Sequence, residues 1–248
     1  MVRTLVLLRG LTRGCNHWAD FPKQLNQAFP DTKLALIDLA GNGIRTDDSS
    51  PLTIKAALQD IRDQIKQQGI TFPIDILALS LGGMITLQWL NDFPEEINKA
   101  IVINTSHAGL SKTSDRMKPL TISKLSIGAL LPASMREKII YSVTSNNPVK
   151  QLIRNQWIEE AKKRPVYRLN FIRQVFIARS FKTHLRINKE QLLLLASSSD
   201  RLVNVASSKA LAENTSARLE VHITAGHEIT LDDPRWVIHH LTSFLDHS

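Results

Sequence analysis

The sequence predicts an α/β fold: a doubly wound, mostly parallel sheet of about six strands, with helices on both faces and a helical segment inserted after the fourth strand. Three observations lead there. Short apolar runs recur without the strict alternation of a half-solvated strand, as parallel strands buried on both faces require. Segments of helical spacing stand between those runs. One interval, between the fourth and fifth runs, is about 85 residues long, where a single crossover helix takes about 10–15.

The first run is Thr4–Leu8, closed by Gly10, and Leu34–Asp38, Ile74–Leu79, Ala100–Asn104, Leu192–Ala196 and Leu219–Ile223 repeat its form. Among the helical segments, Ile54–Gln68 carries Ile54, Ala57, Leu58, Ile61 and Ile65 on one stripe. Leu81–Asn91, Val205–Glu213 and Pro234–Leu245 follow, the last opening with a proline suited to a first turn. Within the long interval, helices are expected over Leu120–Leu131, Ser134–Val143, Gln151–Lys163 and Leu169–Phe181. Pro119, Pro132, Pro148 and Pro165 punctuate them. The expected division is a core of residues 1–105 and 191–248 with a basic helical lid of residues 106–190. Ligands of open α/β sheets bind beyond the carboxyl ends of the strands, where this insertion leaves and re-enters, so it is expected to cover the site.

With 248 residues and 43% hydrophobic content the chain is long enough for one sizeable core. Cys15 is the sole cysteine, so no internal disulfide can form and no paired-cysteine metal site exists; a reducing compartment fits. The opening Met1–Leu8 reads as a buried strand, because Arg9-Gly10 interrupts it before a secretory core would be complete. No run approaches the roughly 18 apolar residues of a spanning helix, and a soluble, cytoplasmic protein is expected. The net charge of +8 is uneven. Residues 106–190 hold 17 Lys/Arg against 5 Asp/Glu, with Lys162, Lys163 and Arg164 the densest run, and the remainder is slightly acidic. Such a segment either serves solubility or draws in an anionic or carrier-bound substrate.

Ala78-Leu79-Ser80-Leu81-Gly82-Gly83 ends an expected strand and opens an expected helix, the setting of a nucleophile elbow. Ser80 would stand on a sharp turn, with small residues two places to either side, and the Leu81 N–H at the helix start could stabilise an oxyanion. A serine hydroxyl needs a base to take its proton. His227, on the loop between the last strand and the last helix, lies at the same sheet edge, whereas His222 belongs to the strand and His239, His240 and His247 to the final helix or beyond. His17 and His184 stay open, and His107, after the fourth strand, is a candidate pocket residue. The base in turn needs an acid to hold its tautomer. Asp200, after the fifth strand, is placed for that in the chain order serine, acid, histidine. Asp232 and Asp233 read as caps for the helix begun by Pro234. The loop Arg9-Gly10-Leu11-Thr12-Arg13-Gly14 should supply the second oxyanion amide, from Leu11 or from Gly10. Arg9, and less so Arg13, could pair with a substrate carboxylate or phosphate.

Taken together these positions resemble the α/β-hydrolase superfamily over nearly the whole chain apart from the insertion. They look most like its small lidded serine esterases, the group that includes the pimeloyl-carrier-protein methyl ester esterase. The resemblance implies Ser80 as nucleophile, His227 as base and Asp200 as acid, with no metal and no cofactor. Three features depart from the pattern: Arg9-Gly10 replaces the usual His-Gly, Ala40-Gly41-Asn42-Gly43 replaces the usual Pro-Gly-His-Gly, and the first two strands of the larger sheet are missing. The expected activity is cleavage of a small acyl ester or thioester. An acyltransferase would use the same residues, and a catalytically silent ligand-binding protein of this fold is the alternative of another class. Nucleic-acid binding is not expected, since the basic segment has few aromatic residues to stack on bases. Gly41-Asn42-Gly43 is a turn, not a dinucleotide fingerprint.

Overall fold

Six strands form one sheet in the order β2-β1-β3-β4-β5-β6, every neighbouring pair parallel. They are β1 (Thr4–Leu8), β2 (Lys33–Ile37), β3 (Ile74–Leu79), β4 (Ile97–Ile103), β5 (Leu192–Ser197) and β6 (Arg218–His222). The computed structural model describes residues 3–116, 118–129, 131–147 and 151–246. Every expected strand is present. The largest boundary change is in β4, which starts three residues early because Ile97 pairs with Ile74 ahead of the register shift at Asp75.

Alternation along these strands sends side chains to two separate apolar layers. Val6, Leu8, Ile76, Ala78, Val102 and Leu194 join the layer covered by α2 (Ile54–Gln67), α3 (Leu81–Asp92) and α9 (Val205–Thr215). Leu5, Leu7, Leu77, Leu79, Ile103 and Leu195 join the opposite layer, covered by α1 (Phe21–Ala28) and α11 (Pro234–Asp246). Since both faces are buried, strands such as β5, LLLLAS, have to be apolar throughout. Helix α1 was not expected. Its apolar contribution is only Phe21 and Leu25, too few for a periodic signal.

Between β4 and β5 stand α4 (Thr113–Arg116), α5 (Pro119–Ala129), α6 (Ala133–Thr144), α7 (Gln151–Lys163) and α8 (Arg168–Ser180). The last four match the expected helices; Leu130 and Pro148 lie outside the described residues. Short α10 (Ile229–Asp232) precedes α11. The strand order reverses between β1 and β3, whose following helices α1 and α3 cover opposite faces, so a crevice opens beyond the carboxyl ends of these two strands.

Candidate active site

Ser80 occupies the one-residue turn between β3 and α3 with φ 58° and ψ −114°. A side chain at positive φ costs about 1–3 kcal/mol and persists only where its surroundings enforce it. Here they do. The Ser80 N–H donates to the Ile103 carbonyl at 2.9 Å, and Thr105 Oγ1 donates to the Ser80 carbonyl at 2.8 Å. The turn also needs close neighbours. A Cβ on Gly82 would stand 2.7 Å from the Arg9 carbonyl oxygen, and one on Gly10 would stand 2.9 Å from the Ser80 Cβ. The loop after β1 therefore lies directly on the serine.

His227 is buried on the loop after β6, and its Nδ1 lies 2.7 Å from Asp200 Oδ2. The other oxygen, Asp200 Oδ1, accepts the Leu202 and Val203 amides at 2.7 and 3.1 Å. The carboxylate is thus fixed by its own loop and aims one oxygen at the ring. Burial works against charge on His227, but the Asp200 charge and hydrogen bond act the other way, helped by Glu228, and the net shift of the ring is upward. Asn104 holds the histidine loop from beneath: its Nδ2 donates to the His227 carbonyl at 2.8 Å and its Oδ1 accepts the Ser197 amide at 2.9 Å. Ser80 and His227 line one cavity of about 110 Å³, together with Gly10, Leu11 and Arg13 of the β1 loop and residues of the inserted helices.

Arg9, a candidate substrate ligand in the sequence, is a correction. It is 1% exposed and does not line the cavity; its two terminal nitrogens reach Glu228 Oε2 and Oε1 at 2.9 and 2.7 Å. The guanidinium carbon also lies 4.6 Å from the Trp18 ring centroid. A doubly bonded, fully desolvated pair such as this ties the β1 loop to the residue after His227, and sequence inspection had no partner to offer because 219 positions intervene. His107 is a second correction. Its Nδ1 accepts the Gly109 amide at 3.1 Å and its Nε2 lies 2.8 Å from the Thr183 carbonyl, away from the cavity. The ring therefore joins the beginning of the insertion to its end, and burial lowers its basicity.

Asp233 caps α11 as expected, accepting the Trp236 amide at 3.1 Å. Asp232 does something else. Its Oδ2 accepts the Gly226 and Asn146 amides at 2.7 and 2.8 Å and its Oδ1 accepts Ser145 Oγ at 2.5 Å, so it links the histidine loop to the end of α6. Two more residues, Gln174 and Glu137, escaped the sequence reading, and His17, left open there, joins them. Gln174 on α8 accepts the Thr12 amide at 2.8 Å and donates to Asn42 Oδ1 at 2.8 Å; Glu137 on α6 pairs with Arg13 at 2.8 Å; His17 lies buried beside that pair. All are polar residues in helices or loops, whose burial only tertiary contact creates. Gly41-Asn42-Gly43 forms a turn in which the Asn42 amide donates to the Leu39 carbonyl. Among the described residues no cluster of His, Cys, Asp and Glu is placed to hold a metal ion, and no helix is long and apolar enough to cross a membrane. Burial and the nearby Asp38 push the Cys15 thiol far up, so it stays protonated.

A fully parallel six-stranded sheet with a strained serine where β3 meets α3 and a hydrogen-bonded histidine–aspartate pair at the same edge defines a protein of the α/β-hydrolase class. The chain belongs to the family described as serine aminopeptidase, S33 (Hydrolase_4), whose model matches residues 2–234. In structure it is similar to an esterase from Exiguobacterium antarcticum, with a TM-score of 0.81, 17% identity and coverage of 98% of this chain and 92% of that one. The esterase RhEst1 from Rhodococcus sp. ECU1013 gives a TM-score of 0.77 at 16% identity, over 98% and 90% of the two chains. The α/β-hydrolase MGS-M2 from a Medee basin deep-sea metagenome library gives 0.70 at 20% identity, over 99% and 90%. Identities this low show a shared fold. No curated protein matches the chain by sequence.

Proposed function

We propose that this hydrolase cleaves a carboxylic ester or thioester through an acyl-enzyme intermediate. The observation that carries the reading is the placement of the strained Ser80 and the Asp200-bound His227 on one cavity. With Nδ1 held by Asp200, the tautomer that protonates Nδ1 leaves Nε2 free to take the Ser80 proton. Ser80 Oγ attacks the carbonyl carbon, the alcohol or thiol leaves with the proton returned by His227, and water repeats the sequence to release the acid.

The oxyanion forming on the carbonyl needs two N–H donors. Leu81 opens α3, where the first amides have no intrahelical acceptor. In the β1 loop the Thr12 amide is engaged by Gln174 and the Arg13 amide by the Gly10 carbonyl, which leaves Leu11 or Gly10 as the second donor. The helices between β4 and β5 supply the far wall of the cavity, with Leu125, Ile140, Val166 and Phe171, and act as a lid over it. Their excess of Lys and Arg supports an anionic or carrier-bound acyl substrate.

A fluorophosphonate reagent tests the mechanism, because it reacts only with an activated serine. Mass spectrometry should find one adduct on Ser80, absent in Ser80→Ala and slowed in His227→Ala. Labelling elsewhere, or none with the folded protein, would remove the proposal.

A further inference from the structure

Arg13, ranked behind Arg9 in the sequence as a partner for a substrate anion, is the arginine that the fold leaves available. Its side chain is 5% exposed and lines the cavity that holds Ser80 and His227. One terminal nitrogen is fully used: Nη1 donates to Glu137 Oε2 at 2.8 Å and lies 2.9 Å from His17 Nε2. Burial first, then the charges of Arg13 and Arg9, hold His17 well below the usual histidine range, so its neutral ring accepts from Arg13. The other nitrogen, Nη2, is buried with no hydrogen-bond partner among the described residues. A desolvated guanidinium N–H without an acceptor is costly, and folded proteins seldom keep one unless something outside the chain completes it.

Two neighbours sharpen the chemistry. Glu137 is shared between Arg13 at 2.8 Å and Arg136 at 3.8 Å, so two guanidinium charges face one carboxylate, and Arg136 also lines the cavity. The group retains one unbalanced positive charge. Beneath it, the Trp157 ring centroid lies 5.0 Å from the Arg13 guanidinium carbon, and the buried indole Nε1 has no acceptor among the described residues. Arg9 differs in two respects: both its terminal nitrogens are bound to Glu228, leaving only Nε without a partner among the described residues, and it does not line the cavity.

We infer that Arg13, supported by Arg136, is a recognition subsite for a carboxylate carried by the ester or thioester substrate, bound by the Arg13 guanidinium where it borders the cavity while the reacting carbonyl lies at Ser80. The inference rests on the serine-hydrolase reading of the same cavity. A buried charge-assisted pair of this kind favours the anionic substrate over a neutral one of equal length by about 10- to 100-fold. Unlike steering by surface lysines, that preference persists at high salt, because a buried pair is weakly screened.

The test compares the specificity constants of matched chromogenic esters at low and high salt in two arms. One arm sets 4-nitrophenyl hydrogen glutarate against 4-nitrophenyl valerate, with the carboxylate on the acyl side. The other sets the butyrate ester of a nitrophenol bearing a carboxylate against that of the plain nitrophenol. The expected result is a salt-resistant preference for the charged ester in one arm, which also reveals the side on which the carboxylate lies, reduced at least about tenfold in Arg13→Gln. Because Arg13→Gln takes from buried Glu137 its hydrogen-bonded partner and leaves only Arg136 at 3.8 Å, Arg13→Gln/Glu137→Gln is measured beside it and should show the same reduction. A charged-to-neutral ratio that neither variant changes, in both arms, overturns the subsite. Should the wild-type protein hydrolyse no ester, the hydrolase reading fails by itself, and calorimetry with glutarate decides the subsite. Binding to wild type that the double variant loses supports it; no binding to wild type refutes it.

Discussion

Every residue of β3 and β5 is buried, whereas the inserted helices α7 and α8 leave Leu152, Leu169, Ile172 and Phe176 more than half exposed. The two regions meet at one cavity but differ in how completely they are covered. The sheet core is fastened by continuous apolar layers on both faces, and the loops at its edge by buried bonds such as Arg9–Glu228 and Asn104–His227. The insertion shares part of that area, because Ile177, Ala178, Phe181 and Leu185 at its C-terminal end join the apolar layer beneath α2 and α3, and it meets the edge loops through polar bonds that include Gln174 to Thr12, Glu137 to Arg13, and Asp232 to Ser145 and Asn146. A strand covered on both faces resists displacement, while helices that leave one apolar face to solvent can shift at lower cost. Under the proposed function, the core would carry the reaction chemistry and the insertion the choice of substrate.

The largest expected effect breaks the core's side. Ser80→Ala should lower turnover of a chromogenic ester by about 10⁴- to 10⁶-fold, with circular dichroism and melting temperature near those of the parent. Near-parental turnover in the pure variant would end the assignment. Asp200→Asn comes next, with a loss on the order of 10⁴-fold. It also carries a pH signature. Only the neutral imidazole accepts a proton, and His227 is shifted upward, so activity should decline with falling pH around a midpoint above 6.5. Asp200→Asn removes the two main causes that raise His227 and leaves burial to dominate, moving the midpoint of the residual activity down. A midpoint that stays put would show that another group governs the acid limb.

Smaller effects sharpen the boundary between the regions. Arg9→Met strands the Glu228 carboxylate in the interior, and urea denaturation should register a loss of about 3–5 kcal/mol. Arg9→Met/Glu228→Met should recover most of that stability, since no uncompensated charge remains; failure to recover would mean that Arg9 contributes chiefly by packing on Trp18. The smallest change is expected for Gln174→Ala on α8, which removes the acceptor of the Thr12 amide for about 1–3 kcal/mol. If the insertion governs substrate choice, KM should rise more than kcat falls. A drop in kcat alone would place this helix on the chemical side and dissolve the contrast.

The elements themselves were legible in the sequence because their cause is local. Runs such as Ile74–Leu79 and Leu192–Ala196 are apolar since both faces of a parallel strand are covered, and the stripe from Ile54 to Ile65 records a single buried helix face. Ser80, Asp200 and His227 were legible because each follows a strand end, and parallel strands bring all their ends to one edge. The partners of the polar residues were not. Nothing local distinguishes Arg9, whose terminal nitrogens the fold closes onto Glu228, from Arg13, whose side chain it sets on the cavity. His107 looked like a pocket residue until its ring was seen to join Gly109 to Thr183. Periodicity reports whether a face is buried; which buried donor meets which acceptor depends on pairs far apart in the chain, 76 residues for His107 and Thr183 and 219 for Arg9 and Glu228, and only the packed chain brings those together.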